Sequence, residues 1–216
     1  MTDELTFDDW WADFNYKFRN DKDSGSAMLE RLIFDVGTFS QQKRIAFIDE
    51  LLENKKLQYY ACQLIPLFGD QRQVCELKNR ASKLVEQNLV EDILPTYFEA
   101  IIKLSTQDDL PLLTKYYLNY QDNWFLRIPT ELYHIDKDLF LKVFAKKLPD
   151  YPIDRMCKYD SLLYLTSDVE ALDYLIHNLP DTLADKLKKF ALAKSKHAMV
   201  VGNEKLKQQL LNLAAQ

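Results

Sequence analysis

A short phrase recurs in the second half of this chain at a spacing close to 30 residues. An aspartate followed by leucine or valine opens an apolar run at Asp109, Asp138 and Asp168, in steps of 29 and 30 positions. The last two runs also close alike, with Leu-Pro-Asp at 148–150 and again at 179–181. A fixed period of this length is typical of stacked helical hairpins, in which each helix buries one apolar stripe against its neighbours.

Glycine is scarce, because only four occur among 216 residues. They stand at positions 25, 37, 69 and 202, where the apolar helical pattern stops or restarts, and a left-handed glycine is a common helix terminator. So few glycines leave little room for β-hairpins or for loops that cradle phosphate. Hydrophobic residues make up 47% of the chain, which is enough for a packed core. The composition therefore predicts an all-α protein.

Apolar residues at helical spacing predict about 12–13 helices along the chain. Thr38 or Ser40 is expected to cap the third helix, and Pro129 either kinks the helix over 123–134 or marks its start. The predicted helices cover 8–20, 27–36, 40–52, 56–68, 70–88, 90–104, a stretch from 109, then 123–134, 137–148, 153–165, 168–178, 182–197 and 203–215.

We expect these helices to form one domain over residues 1–216, a right-handed stack of about six antiparallel hairpins. Capping helices are expected at 1–37, hairpin repeats at 38–197, and a final capping helix at 198–216. Trp10 and Trp11 cannot both point inward, because neighbours on a helix are about 100° apart. One of them is expected to cover the first hairpin while the other stays partly exposed.

The pattern resembles HEAT and armadillo-type repeats across roughly 90–197 and more loosely across 38–88. Its period is shorter than the usual HEAT length of about 40 residues, so the resemblance is to a short HEAT-like class. The tetratricopeptide pattern of Trp, Gly, Tyr and Pro at fixed offsets is missing. The resemblance implies a HEAT-like α-solenoid that serves as a binding scaffold rather than a catalyst.

The formal charge of −5 is spread unevenly along the chain. Residues 181–216 carry seven lysines against three acidic side chains, so this end is basic and the remainder is acidic. Two interpretations stay open for the basic end. It contacts an acidic partner, or it is the solvated outer face of its helices.

Several features predict a soluble cytoplasmic protein. No stretch reaches the roughly 18–20 apolar residues that span a bilayer. The first eleven residues are acidic and hold no apolar signal core. Cys62, Cys75 and Cys157 are odd in number, widely spaced and set in apolar helical sequence, which indicates free, buried thiols in a reducing compartment.

Motifs for metal binding are missing from the sequence. His134, His177 and His197 lie far apart, and the chain holds no HxxxH, HExxH or CxxC. Glu131 and His134 match one half of a di-iron Glu-x-x-His site, which needs a second copy and two facing glutamates. We therefore interpret these two residues as structural or solvated and expect no metal.

Catalytic and phosphate-binding motifs are missing as well. The chain has no GxSxG phrase and no glycine-rich loop before a helix. Paired carboxylates at 8–9 and 108–109 stand at predicted helix starts, where they stabilise the positive end of the helix dipole. We expect no enzymatic activity, no cofactor and no small-molecule substrate. A Ser–His–Asp set that assembles from distant positions stays open.

Aromatic side chains make up 12% of the chain, and Tyr and Trp are enriched in interface hot spots. They cluster with charged residues on the predicted second helices of neighbouring hairpins, which predicts a mixed-charge protein-binding groove. An ordinary solvated surface with local ion pairs is the alternative. The expected groove residues are Tyr117, Tyr120, Asp122, Trp124, Arg127, Glu131, Asp154, Arg155, Lys158 and Tyr159.

Together these features favour a non-catalytic protein that binds another protein. A small, acidic, aromatic-rich chain without catalytic motifs resembles bacterial immunity proteins, which neutralise a cognate toxin by covering or distorting its active site. The resemblance implies a basic, nucleic-acid-cleaving toxin domain as the partner, because opposite charge steers association.

Two other classes of function stay open. One is an adaptor or scaffold subunit of a larger assembly. The other is an enzyme or a nucleic-acid-binding HEAT-like protein with an unrecognised site. Nucleic acid is not the expected partner, because phosphate contacts need a concentrated stripe of Lys and Arg and most of this chain is acidic.

Overall fold

A computed structural model describes residues 7–9, 11–12, 16, 25–87, 89, 91, 93–119, 128–151, 168–196 and 203–216. Within these ranges the chain forms helices joined by turns and contains no strand, which confirms the all-α class. No helix in the same ranges is both long enough and apolar enough to cross a bilayer.

Contacts group the chain into two compact units. The first comprises Met1–Leu84 and Glu91–Leu104, and the second comprises Val85–Val90 and Ser105–Gln216. The prediction of one stacked domain stays a prediction.

The first unit holds five helices beyond residue 24, with α2 packed against α3 and α3 packed against α5. The last two residues of α4 belong to the second unit. The helices are α1 (Gly25–Gly37), α2 (Gln41–Glu53), α3 (Gln58–Phe68), α4 (Gln71–Glu86) and α5 (Leu94–Ile102).

Within the described residues of the second unit, short helical segments precede residue 136 and longer helices follow it. The long helices α9, α10 and α11 pack against one another, and α8 packs against α9. The elements are a 3₁₀ turn (Gln107–Asp109), α6 (Leu110–Thr114), a π-helical segment (Lys115–Asn119), α7 (Glu131–Ile135), α8 (Lys137–Lys147), α9 (Val169–Asn178), α10 (Asp181–Lys194) and α11 (Glu204–Ala215).

The repeated aspartates lie at or close to the starts of helical segments. Asp168 caps α9 by accepting the amide of Ala171 at 3.0 Å. Asp138 is the second residue of α8, whose cap is Asp136. Asp109 closes a reciprocal capping box with Thr106, which opens the 3₁₀ turn. The repeated phrase therefore marks helix starts to within a few residues, whereas stacking of these helices as a HEAT-like solenoid stays a prediction.

Two lysines satisfy backbone carbonyls at the carboxyl ends of other helical segments in the second unit. Lys186 Nζ donates to the carbonyls of Leu148, Pro149 and Tyr151 at 3.1, 2.9 and 3.3 Å, just beyond the end of α8. Lys146 Nζ donates to the carbonyl of Leu118 in the π-helical segment. Carbonyls at the carboxyl end of a helix carry partial negative charge, which an ammonium group complements. Lys186 is one of the seven lysines of the basic end, so part of the positive charge of that end stabilises the fold.

Gly69 ends α3 for a reason that the sequence pattern did not predict. Its φ of −68° and ψ of 154° lie in the extended region, so no left-handed conformation is needed. A Cβ at this position would lie 2.7 Å from the carbonyl oxygen of Ile65. Close approach of this position to the backbone in the last turn of α3 therefore requires the glycine.

A buried hydrogen-bond pair joins the start of α3 to α5. Gln58 Nε2 donates to the carbonyl of Leu52 at 3.0 Å, and its Oε1 accepts from the Tyr97 hydroxyl at 2.9 Å. Burial raises the pKa of Tyr97. Because buried polar groups are costly without partners, this pair fixes how α3 and α5 pack.

The cysteines only partly match the prediction of free, buried thiols. Cys62 is free and buried, but Cys75 is free and exposed. Cys75 follows Val74 on α4 and points away from the buried stripe that Leu77 and Ala81 form. Cys157 lies outside the described residues.

Candidate functional site

An open depression lies between residues 7–8 and the outer face of α2 in the first unit. Its volume is about 820 Å³. Three carboxylates and an alanine on one face of α2 form its main wall, at the 3- and 4-residue spacing that places side chains together. We call it the α2 groove, and its lining residues are Phe7, Asp8, Ala46, Asp49, Glu50, Glu53, Asn54 and Lys55.

Aromatic ring contacts hold Phe7 and Trp11 against α2 and α3. The Phe7 ring lies 5.1 Å from the Phe47 ring and 6.3 Å from the Trp11 ring, and Trp11 in turn meets Tyr60 edge-on at 5.8 Å. Each aromatic pair is worth about 0.5–1.5 kcal/mol beyond its buried area. Trp11 is half-buried and Trp10 lies outside the described residues, so which tryptophan covers the first hairpin stays a prediction.

Two of the groove carboxylates are already engaged with α4. Asp49 accepts hydrogen bonds from Arg72 at 2.6 Å and from the Gln73 side chain at 2.7 Å. Glu53 accepts from Arg80 at 2.5 Å. The hydrogen bond and charge of Asp49 raise the pKa of Arg72. These contacts fix the side chains and neutralise much of their charge.

The other two carboxylates are available for binding. Asp8 and Glu50 are exposed, and within the described part of the chain neither makes a hydrogen bond or ion pair. Among the described residues that line the groove, Lys55 is the one basic side chain. Since Arg72 and Arg80 compensate Asp49 and Glu53, the groove keeps a net negative charge beside the apolar Phe7 and Ala46. An open acidic surface with an aromatic edge suits basic side chains of a macromolecule better than it suits an enclosed small molecule.

The predicted protein-binding residues fall mostly outside the described part of the chain. Tyr117 is described and only 2% exposed, with its ring 4.9 Å from that of Tyr116 in the π-helical segment. Glu131 is half-buried in the first turn of α7. The predicted groove therefore stays a prediction; its members outside the described residues are Tyr120, Asp122, Trp124, Arg127, Asp154, Arg155, Lys158 and Tyr159.

The histidines that the structure describes pair with nearby aspartates. His134 Nε2 lies 2.7 Å from Asp168 Oδ2, which joins α7 to the start of α9. His177 Nδ1 lies 3.3 Å from Asp173, one turn away on α9. No group of three or more His, Cys, Asp or Glu that could hold a metal occurs among the described residues. His197 lies outside them.

The sequence pattern did not predict the α2 groove. The spacing of Ala46, Asp49, Glu50 and Glu53 would have indicated an acidic face on α2. It could not indicate that residues 7–8 lie across that face, because this position depends on ring contacts between distant parts of the chain.

Comparison with models of protein families, with curated proteins and with solved structures gave no match for this chain. The function is therefore inferred from the residues of this chain alone.

Proposed function

We propose that this chain is a non-catalytic protein that binds a basic partner protein. The α2 groove carries the proposal, because it presents the free carboxylates of Asp8 and Glu50 beside an aromatic edge. Each exposed ion pair contributes less than about 1 kcal/mol, so the apolar contact with Phe7 must supply part of the affinity. The charge would act mainly on the association rate and on the choice of partner.

The partner class that fits best is a toxin domain that cleaves nucleic acid. Such a domain must bind phosphates and is therefore rich in Lys and Arg. A chain with a net charge of −5 would be steered towards it over distances of about a Debye length. In this proposal the chain is a cytoplasmic immunity protein with a HEAT-like scaffold, and it neutralises one cognate toxin by covering or distorting its active site.

A pull-down from the lysate of the native organism tests the class of function. A tagged chain is washed at moderate salt, and the proteins that remain bound are identified by mass spectrometry. We expect one small, basic partner at equal stoichiometry. Several housekeeping proteins would favour an adaptor subunit instead, and an absence of any partner would contradict the proposal.

Charge reversal then tests the surface. The variant Asp8→Lys/Glu50→Lys should lower the association rate at least about tenfold at low ionic strength, with a smaller effect at high salt. Glu30→Lys is the matched control, because Glu30 is also exposed within a helix of the first unit and lies outside the groove. Reversal of Asp122, Glu131 and Asp154 tests the predicted groove in the same way. If only the second set weakens binding, the α2 groove is not the contact surface.

A further inference from the structure

Two tyrosine rings enclose a lysine ammonium in the second unit. Lys137, the first residue of α8, places its Nζ 4.5 Å from the ring centroid of Tyr133 and 5.7 Å from that of Tyr174. The two ring centroids are 5.4 Å apart and the ring planes are inclined at 55°, so they form two adjacent walls. A cation within about 6 Å of a ring face is attracted by the ring quadrupole, and here two rings act on the same charge.

A carboxylate completes the surroundings of this ammonium. The Tyr133 hydroxyl donates a hydrogen bond to Glu170 Oε1 at 2.9 Å, which fixes the ring and brings a negative charge to the site. The neighbouring His134–Asp168 contact at 2.7 Å holds α7 against the start of α9. The walls therefore come from α7 and α9, and their positions do not depend on Lys137. We call Tyr133, Tyr174 and Glu170 the tyrosine cage.

The electrostatics of the cage favour a cation. A hydrogen bond with the Tyr133 side chain raises the pKa of Lys137, and the charge of Glu170 acts in the same direction. Lys137 is nevertheless exposed, while Tyr133 beneath it is only 3% exposed. A flexible, solvent-exposed lysine can leave the cage at little cost, and its departure would uncover the face of a ring that is otherwise covered.

We propose that the tyrosine cage is a cation site that Lys137 fills in the free protein and that accepts a lysine or arginine side chain of a protein partner. Aromatic cages bind organic cations in this way, and the chain's own lysine then acts as an internal competitor. The inference rests on the proposed function only for the source of the cation, which is a basic partner. The cage itself can be tested without that partner.

The test uses N-acetyl-lysine methylamide as the probe and NMR of the aromatic rings as the readout. In Lys137→Ala the probe should cause saturable shifts of the Tyr133 and Tyr174 ring signals in the millimolar range. The wild type should bind it at least about fivefold more weakly, because Lys137 competes for the same rings. The uncharged norleucine analogue should cause no such shifts.

Two further variants make the result specific. Lys142→Ala removes another exposed lysine of α8 and should behave like the wild type. Lys137→Ala/Tyr174→Leu keeps the apolar bulk of the cage but removes one ring, and it should weaken probe binding about tenfold relative to Lys137→Ala. Circular dichroism would show that each variant remains folded.

Equal probe binding by the wild type and Lys137→Ala would overturn the inference, and so would unchanged binding after loss of the Tyr174 ring. Failure of the proposed function looks different. It would appear as the absence of a basic partner in the pull-down, with binding of the small cation to Lys137→Ala unaffected.

Discussion

Asp49 and Arg72 form an ion pair with an N–O distance of 2.6 Å, which joins the wall of the α2 groove to α4. The contact beside it is more deeply buried. Gln73 is 0% exposed, and its side-chain nitrogen donates to Asp49 at 2.7 Å and to the carbonyl of Ile45 at 2.9 Å. Its side-chain oxygen accepts the amide of Asp70 at 3.1 Å. One glutamine therefore both caps α4 and fixes α2.

The first prediction concerns this glutamine. Gln73→Ala should lower the free energy of unfolding by about 2–3 kcal/mol, because it leaves buried polar groups of α2 and α4 without partners. Gln71→Ala is the matched control, since Gln71 is exposed on the same helix and should change stability by less than about 0.5 kcal/mol. Urea unfolding followed by circular dichroism measures both. Equal effects of the two substitutions would contradict the structural role of Gln73.

The second prediction concerns the two described thiols. Burial raises the pKa of Cys62 to about 12, whereas Cys75 is exposed. Because the thiolate is the reactive form, iodoacetamide at pH 8 should alkylate Cys75 at least about a hundredfold faster than Cys62. Mass spectrometry of peptides assigns the label to each cysteine. The difference should vanish in denaturant, and comparable rates in the folded protein would show that Cys62 is accessible.

The same thiol gives a pH dependence of stability. Its pKa is about 12 in the folded chain against an ordinary value of 9.0. Above pH 9 the unfolded chain releases a proton that the folded chain keeps, so unfolding becomes more favourable. This contribution to stability is complete below pH 9 and is lost as the pH rises towards 12, with a slope of up to about 1.4 kcal/mol per pH unit.

Cys62→Ala should therefore lose stability less steeply than the wild type between pH 9 and pH 11. Cys75→Ala should keep the wild-type slope, because its thiol is exposed. Urea midpoints at a series of pH values measure the slopes. Parallel curves for Cys62→Ala and the wild type would show that burial does not hold this thiol in its neutral form.

The sequence predicts helices well where the apolar residues follow a single helical stripe. The predicted spans 137–148 and 203–215 agree with α8 at Lys137–Lys147 and α11 at Glu204–Ala215 to within one residue at each end. Ser40, one of two candidate caps, does accept the amide of Lys43 and begins α2. Helix caps and apolar periodicity depend on residues that are close together in the chain, so they can be predicted from the sequence alone.

The predicted helix that starts at Asp109 is helical in the structure but is not a uniform α-helix. The structure has a 3₁₀ turn, a short α-helix and a π-helical segment in succession. Tyr116 and Tyr117 are adjacent and both buried within the π-helical segment. The π-helical segment depends on tertiary packing, as the α2 groove and the tyrosine cage do, so it cannot be predicted from the apolar periodicity of the sequence.

The fourth prediction tests the role of Lys186 at the end of α8. Its ammonium donates to the backbone carbonyls of Leu148, Pro149 and Tyr151. Lys186→Met keeps the length of the side chain but not its donors, so it should lower the unfolding free energy by about 1–2 kcal/mol. Lys189→Met, at an exposed position one turn along α10, should change it by less than about 0.5 kcal/mol. Thermal and urea unfolding of the two variants measure the difference.

The last prediction compares Gly69 with Gly37, both of which the sequence pattern places at the end of a helix. A Cβ at Gly69 would lie 2.7 Å from the backbone oxygen of Ile65, whereas a Cβ at Gly37 would meet the ring of Phe68 at an ordinary 3.7 Å. Gly69→Ala must shift backbone and should cost about 1–3 kcal/mol. Gly37→Ala lies at the end of α1 and should be neutral or stabilise the chain by up to about 1 kcal/mol, since alanine favours helix. Urea unfolding of both variants measures these effects. If the two glycines only terminated helices in a left-handed conformation, both substitutions would be destabilising.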